Sequence, residues 1–275
     1  MRGRMAVREE AITVAVDGSE ERLPGTLVSP GPLVPGFLFL QGWGSTREQY
    51  LARAGEIAAL GCVCLTFEPR GVARGDPRHE TVTREENLRD VLAAYDALTG
   101  RPGVDPAAVA VVGSSYGAYL ATILSSLRAV RWLALRVPAL YRDEDWDVPK
   151  ARLDREALMA YRRGQVSPDD NRALGACAAF QGDVLIVQSE RDDTVPPPVI
   201  ANYMAAFERT RSLTYRVIEG ADHGLSEEPW QQAYTSLLLN WAREMVLGAR
   251  EGGTAAAAAQ THLAPAPQRG PPAPA

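Results

Sequence analysis

Val109-Ala110-Val111-Val112-Gly113-Ser114-Ser115-Tyr116-Gly117-Ala118-Tyr119-Leu120 is the stretch that decides the reading of this chain. Its first four residues are apolar without alternation, which describes a strand buried on both faces. The Ala- and Leu-rich run from Tyr116 to Leu127 describes a helix. Strand and helix are so close that the turn between them has no room for side chains at its flanks, and glycine stands at 113 and 117. Gly113-Ser114-Ser115-Tyr116-Gly117 is therefore a G-x-S-x-G elbow, with Ser115 projecting above the carboxyl end of its strand, where open α/β sheets bind ligands.

Outward from this junction the same rhythm repeats. Ala11 to Val16 and Thr26 to Ser29 read as two leading strands forming an antiparallel edge. Phe37 to Leu40, Val63 to Phe67, Val109 to Val112, Trp132 to Val137, Val184 to Gln188 and Leu213 to Ile218 read as further strands. Helices are expected from Ser45-Thr46-Arg47-Glu48, a capping-box pattern, to about Leu60, and over about Arg84 to Leu98, Tyr116 to Leu127, Pro198 to Glu208 and Glu228 to Leu247. The fold class is α/β: an eight-stranded, mostly parallel sheet flanked by helices, in a single domain over residues 1–251. Residues 138–182 break the rhythm and read as a small inserted cap over one sheet edge, without a core of its own. Gly252 to Ala275, nearly all Ala, Pro, Gly, Gln and Thr, reads as a disordered tail, and His262 is set aside with it.

Composition narrows the function. The 275 residues are 46% hydrophobic, enough for one sizeable core, and the net charge of −5 gives no footprint for nucleic acid or anionic membrane. Met1 to Glu10 lacks the apolar stretch of a signal peptide and no apolar run reaches membrane-spanning length, so a cytoplasmic protein is expected. Cys62, Cys64 and Cys177 are too few for a disulfide framework and lack metal-site spacing, and so read as core thiols. No cofactor or metal is expected, the partner is a small-molecule substrate, and the oligomeric state is left open.

Downstream, Ser189-Glu190-Arg191-Asp192-Asp193-Thr194-Val195-Pro196 follows one apolar strand and Gly220-Ala221-Asp222-His223-Gly224 follows the next. Both loops lie on the sheet edge that carries Ser115. A serine hydroxyl needs an imidazole to take its proton, and that imidazole needs an ionised carboxylate to fix its tautomer. Ser115, His223 and Asp192 fill those roles, with Asp193 and Asp222 as lower-ranked alternatives to Asp192. Gln41-Gly42-Trp43-Gly44 offers the Trp43 N–H and the helix start offers the Tyr116 N–H as donors to a developing oxyanion. Trp146, Tyr141 and Tyr161 of the inserted segment are either pocket lining or packing.

Taken together, Gly113 to Gly117, Asp192 with Val195-Pro196, His223, the Gln41 to Gly44 turn and Glu68-Pro69-Arg70-Gly71 resemble the α/β-hydrolase superfamily over about Ala11 to Leu247. Val104-Asp105-Pro106 leading into Ser115-Tyr116-Gly117 looks most like the dienelactone-hydrolase-like, acyl-peptide and acyl-thioester branches. The chain departs from the usual pattern in having Gln41 before Gly42, and serine at 115 where true dienelactone hydrolases use cysteine. The resemblance implies a cofactor-free serine hydrolase acting on a carboxylic ester or related acyl bond. A serine peptidase or an acyl-thioesterase is the alternative, and a non-catalytic scaffold a more distant one.

Overall fold

The computed structural model describes residues 8–16, 20–29 and 34–261, with side chains described to residue 248. Met1 to Val7, His262 and the rest of the expected tail from 262 on lie outside the described residues. The strands are β1 (Arg8–Ala15), β2 (Arg22–Ser29), β3 (Val34–Leu40), β4 (Val63–Phe67), β5 (Val104–Ser114), β6 (Trp132–Arg136), β7 (Asp183–Arg191) and β8 (Ser212–Asp222). They form one eight-stranded sheet in the order β1-β2-β4-β3-β5-β6-β7-β8. From β4 to β8 all neighbours pair in parallel, while β1 and β2 make the expected antiparallel edge.

Alternate residues of the central strands enter two cores. Leu38, Leu40, Val109, Val111, Leu133, Leu135 and Ile186 face α2 (Arg84–Thr99), α3 (Tyr116–Leu127), α5 (Arg172–Ala179) and α6 (Pro197–Ala206). Phe37, Phe39, Ala110, Val112, Trp132, Leu185 and Val187 face α1 (Glu48–Ala58) and α7 (Glu228–Thr261). Burial on both faces is why these strands read as continuous apolar runs. Cys62, Cys64 and Cys177 are buried without disulfides, and burial pushes the Cys64 and Cys177 thiols well up, which fits core packing.

Two helix boundaries differ from expectation. Ser45 does not cap α1: its hydroxyl donates to the Gly42 carbonyl at 2.6 Å, and Arg47, with no side-chain cap bond, occupies the N-cap position. The turn after β3 takes the hydroxyl first. The capping box lies instead at α2, where Thr83 Oγ1 accepts from the Glu86 N–H at 3.2 Å and Glu86 Oε2 accepts from the Thr83 N–H at 2.9 Å. Finally, α7 continues to Thr261, past Leu247 and into the segment read as a tail. Ala255 to Ala259 has the highest helix propensity, and extending an existing helix needs no new nucleus.

Residues 138–182 cross from β6 to β7 through α4 (Arg155–Arg163), α5 and short 3₁₀ turns. They lie over the α3 and α6 face of the sheet rather than over its edge. Ala173, Leu174 and Cys177 of α5 join the main core, so this helix serves as the ordinary crossover between parallel strands. The other part of the segment reaches α2, with Trp146 donating to Glu85 at 3.0 Å, and the Lys150 N–H donates to the Val82 carbonyl just ahead of that helix at 3.1 Å.

Candidate active site

The sheet order places β3 between β4 and β5, so the connections leaving β3 and β4 run to opposite sides and open a crevice at the carboxyl ends of the strands. The elbow enters that crevice from β5. Ser115 has φ 50° and ψ −111°, a conformation that costs a non-glycine residue about 1–3 kcal/mol. Backbone bonds hold it: Ser115 N–H to Arg136 O at 2.9 Å, with Tyr119 N–H and Ala139 N–H both donating to Ser115 O at 3.1 Å. A β-carbon at 117 would stand 2.2 Å from the Leu40 carbonyl oxygen, and one at 113 would stand 2.5 Å from the Ala118 α-carbon. Both glycines are thus sterically required. Val137 and Leu225, which flank the site, also take positive φ, at 39° and 54°.

Strand register brings the other two residues together. β7 and β8 pair Arg191 with Asp222, so Asp192 and His223, one residue further along each strand, meet above the sheet. His223 Nδ1 lies 2.7 Å from Asp192 Oδ2, and His223 Nε2 lies 3.0 Å from Ser115 Oγ. Because the carboxylate can only accept, Nδ1 carries the proton and Nε2 is the acceptor for the serine hydroxyl. Asp192 Oδ1 accepts from the Thr194 and Val195 N–H groups at 2.8 and 2.7 Å, leaving its side chain only 3% exposed. The alternatives are placed elsewhere: Asp193 is exposed, and Asp222 accepts from the Ser226 N–H at 3.0 Å. Hydrogen bonding to Ser226 and its neighbours lowers the Asp222 carboxyl below the ordinary range.

Trp43 sits in the turn after β3, with its neighbours already engaged. Gly42 N–H donates to Tyr50 Oη at 3.2 Å and Gly44 N–H to Val72 O at 2.8 Å. The Tyr116 N–H opens α3 and has no carbonyl one turn earlier in the helix. Gln41, 3% exposed, donates through its amide to Ser45 O at 3.0 Å and stiffens the turn.

Below the elbow, Tyr116 Oη donates to Asn87 Oδ1 at 2.9 Å and Asn87 Nδ2 donates to Arg70 O at 2.7 Å. Arg70 in turn donates to the fully buried Asp90 through Nε at 2.7 Å and its backbone N–H at 2.9 Å. Burial raises the Asp90 carboxyl despite the opposing guanidinium. Glu68-Pro69-Arg70-Gly71 therefore supports the site without entering it.

Ser115, His223 and Trp43 open into a cleft of about 480 Å³ between α1 and α7, a volume suited to a small molecule. The inserted aromatics do not line this cleft. Tyr141, 2% exposed, meets Tyr116 and Tyr119 edge-on at 5.8 and 4.8 Å. Trp146 donates to Glu85 at 3.0 Å, and Tyr161 Oη accepts from Asn171 at 3.0 Å. These residues pack.

Sequence reasoning misses several residues near the site, Arg136 and Lys150 among them. Arg136 ends β6 and donates to His223 O at 2.7 Å and to Ser114 Oγ at 3.3 Å. A charge at the end of a buried apolar strand was the available signal. Lys150 places its ammonium 4.5 Å from the Trp43 ring and 5.4 Å from the Tyr116 ring, and burial pulls its pKa below the ordinary lysine range. Nothing local in the sequence marks it. Among the described residues no cluster of His, Cys, Asp and Glu could hold a metal ion, and no helix is long and apolar enough to cross a membrane.

Comparison with known proteins agrees with this fold. An uncharacterised protein of Mycobacterium tuberculosis is 29% identical over 201 residues, which are 73% of this chain and 66% of that protein. A thiohydrolase of Aspergillus aculeatus is 32% identical over 165 residues, 56% of this chain and 51% of that protein. The chain thus spans just under two thirds of the mycobacterial relative and about half of the fungal one. Among solved structures, a dienelactone hydrolase from Anabaena variabilis superposes with a TM-score of 0.60 at 21% identity, covering 86% of this chain and 96% of that one. The esterase Est1E from Butyrivibrio proteoclasticus superposes with a TM-score of 0.63 at 16% identity, covering 86% and 98%. The acylaminoacyl peptidase of Pyrococcus horikoshii gives 0.65 at 14%, covering 87% and 42%. These likenesses establish the fold, and since the prolyl oligopeptidase family profile matches residues 48–249, most of its length, the chain belongs to that family of α/β-hydrolase enzymes.

Proposed function

We propose that this α/β serine hydrolase cleaves a carboxylic ester or related acyl bond of a small molecule through an acyl-enzyme on Ser115. The observation that carries the reading is the continuous relay from Ser115 Oγ to His223 Nε2 at 3.0 Å and from His223 Nδ1 to Asp192 Oδ2 at 2.7 Å. Ser115 Oγ attacks the carbonyl carbon as His223 takes its proton, and Asp192 stabilises the resulting imidazolium. The tetrahedral oxyanion accepts from the backbone N–H groups of Trp43 and Tyr116. Collapse expels the alcohol, which takes the proton from His223. Water, deprotonated by the same imidazole, then releases the acid and restores the serine.

A fluorophosphonate probe followed by peptide mass spectrometry tests this directly. Label on Ser115, absent from Ser115→Ala and accompanied by turnover of 4-nitrophenyl esters, is expected. A folded protein with no label on Ser115 would refute the reading. A thioesterase is the second reading, favoured by the fungal thiohydrolase that aligns over 56% of this chain. Matched oxygen and sulfur esters of one acyl group separate the two.

A further inference from the structure

The cleft at Ser115 carries a charge opposite to that of the whole molecule. The chain has a net charge of −5, yet the cleft wall includes Arg53, Arg74 and Arg136 and, among the described residues, no aspartate or glutamate. Asp192 stands behind His223, with both oxygens engaged.

None of the three is ion-paired with a carboxylate among the described residues, as is also true of Arg84 and Arg162 outside the cleft, whereas several other arginines are. Arg70, Arg78, Arg128, Arg142 and Arg211 are all ion-paired with carboxylates. Arg53 donates only to neutral oxygens, Thr235 Oγ1 at 3.1 Å and Gln49 O at 3.0 Å. Arg136 likewise donates to His223 O and Ser114 Oγ. Arg74 is exposed and lies across Gly44, its Nε 3.1 Å from where a β-carbon at 44 would stand. A guanidinium has five N–H donors, so Arg53 and Arg136 keep donors unspent. Like charges gathered in a concave wall focus a positive field on whatever enters.

We infer that this cleft selects substrates bearing an anionic oxygen group, held by Arg53 and Arg74 while Ser115 attacks a neighbouring carbonyl. Arg136, tied to the elbow and to the His223 loop, is a positioning residue that adds to the field. The inference rests on the hydrolase reading above and deepens it. It also turns away from aminopeptidase chemistry, because a substrate's free ammonium would meet cations here. The acidic run that might have met an amine is spent elsewhere: Asp143 accepts from the Arg172 N–H and Asp145 from Arg142.

Two ester pairs test it and locate the anion. Mono-4-nitrophenyl adipate against its methyl ester places a carboxylate on the acyl side, and 4-acetoxybenzoate against methyl 4-acetoxybenzoate places one on the leaving group. For at least one pair, kcat/KM should favour the anion by about tenfold or more at low salt, the scale of one charge-assisted contact. That ratio should shrink as ionic strength rises. In the double variant Arg53→Gln/Arg74→Gln it should collapse toward one, with fluorophosphonate labelling of Ser115 reporting that the variant is folded. Ratios near one for both pairs in the wild-type enzyme would overturn the inference while leaving the hydrolase reading intact. So would a preference that survives in the double variant. No turnover of any ester and no label would overturn the hydrolase reading itself.

Discussion

The elbow and the inserted segment lie against one another and are specified in opposite ways. At the elbow, geometry comes from hard contacts close in sequence: strand, one residue, helix, with a glycine at 117 where a single methyl would strike a carbonyl oxygen 2.2 Å away. Residues 138–182 pack into the core through α5, and their other part is fastened by cations set on aromatic rings from distant parts of the chain, Lys150 over Trp43 and Arg84 over Tyr141 and Trp146. Steric necessity leaves a pattern that can be read in order along the chain. Long-range cation–aromatic contact does not, because either partner alone is an ordinary surface residue type.

Substitutions should break this contrast in a graded way. Ser115→Ala or His223→Ala should lower kcat on the best ester by on the order of 10⁴- to 10⁶-fold with melting temperature nearly unchanged, and full retention of turnover in either would mean the relay is not the machinery. Next comes Gly117→Ala, expected to destabilise by about 4 kcal/mol or more in urea unfolding, since its β-carbon must displace the backbone of β3. A loss near that of an ordinary helix substitution would show the elbow to be softer than its contacts imply.

Arg70→Met strips the partner from buried Asp90 and should cost about 3–5 kcal/mol at neutral pH. Because burial already raises the Asp90 carboxyl, the native state takes up the proton before the unfolded chain does as pH falls. The deficit should therefore shrink toward acid pH, and a pH-independent deficit would point to packing alone. The smallest effect is expected from the inserted segment: Lys150→Met should lower kcat about tenfold with KM little changed, and Lys150→Arg should restore most of it, as expected if the cation steadies the Trp43 turn. An equal fall with both substitutions would assign Lys150 to folding only.

How much was legible follows the same division. The sheet, its antiparallel edge, α3 to the residue, and the meeting of Ser115, Asp192 and His223 all follow from apolar runs and the loops that end them. The choice of Asp192 over Asp193 and Asp222 needed the β7 and β8 register to be seen, although chain order already pointed to it. Ser45-Thr46-Arg47-Glu48 has the pattern of a capping box without forming one, because the Gly42 carbonyl takes the Ser45 hydroxyl. The end of α7 was placed too early because alanine extends a helix that composition alone would call a tail. Arg53 and Arg74 escaped notice because each is unremarkable until folding places it beside Ser115.

The tie from Arg136 to the His223 carbonyl has a consequence for motion. β8 is the last strand of the sheet and largely exposed, the kind of element that opens first in local unfolding. His223 follows directly on that strand, yet its carbonyl is fastened to a guanidinium rooted two strands inward. In hydrogen–deuterium exchange the amides around 222–225 should accordingly outlast those of 212–217, so that the edge can breathe without parting the imidazole from the serine.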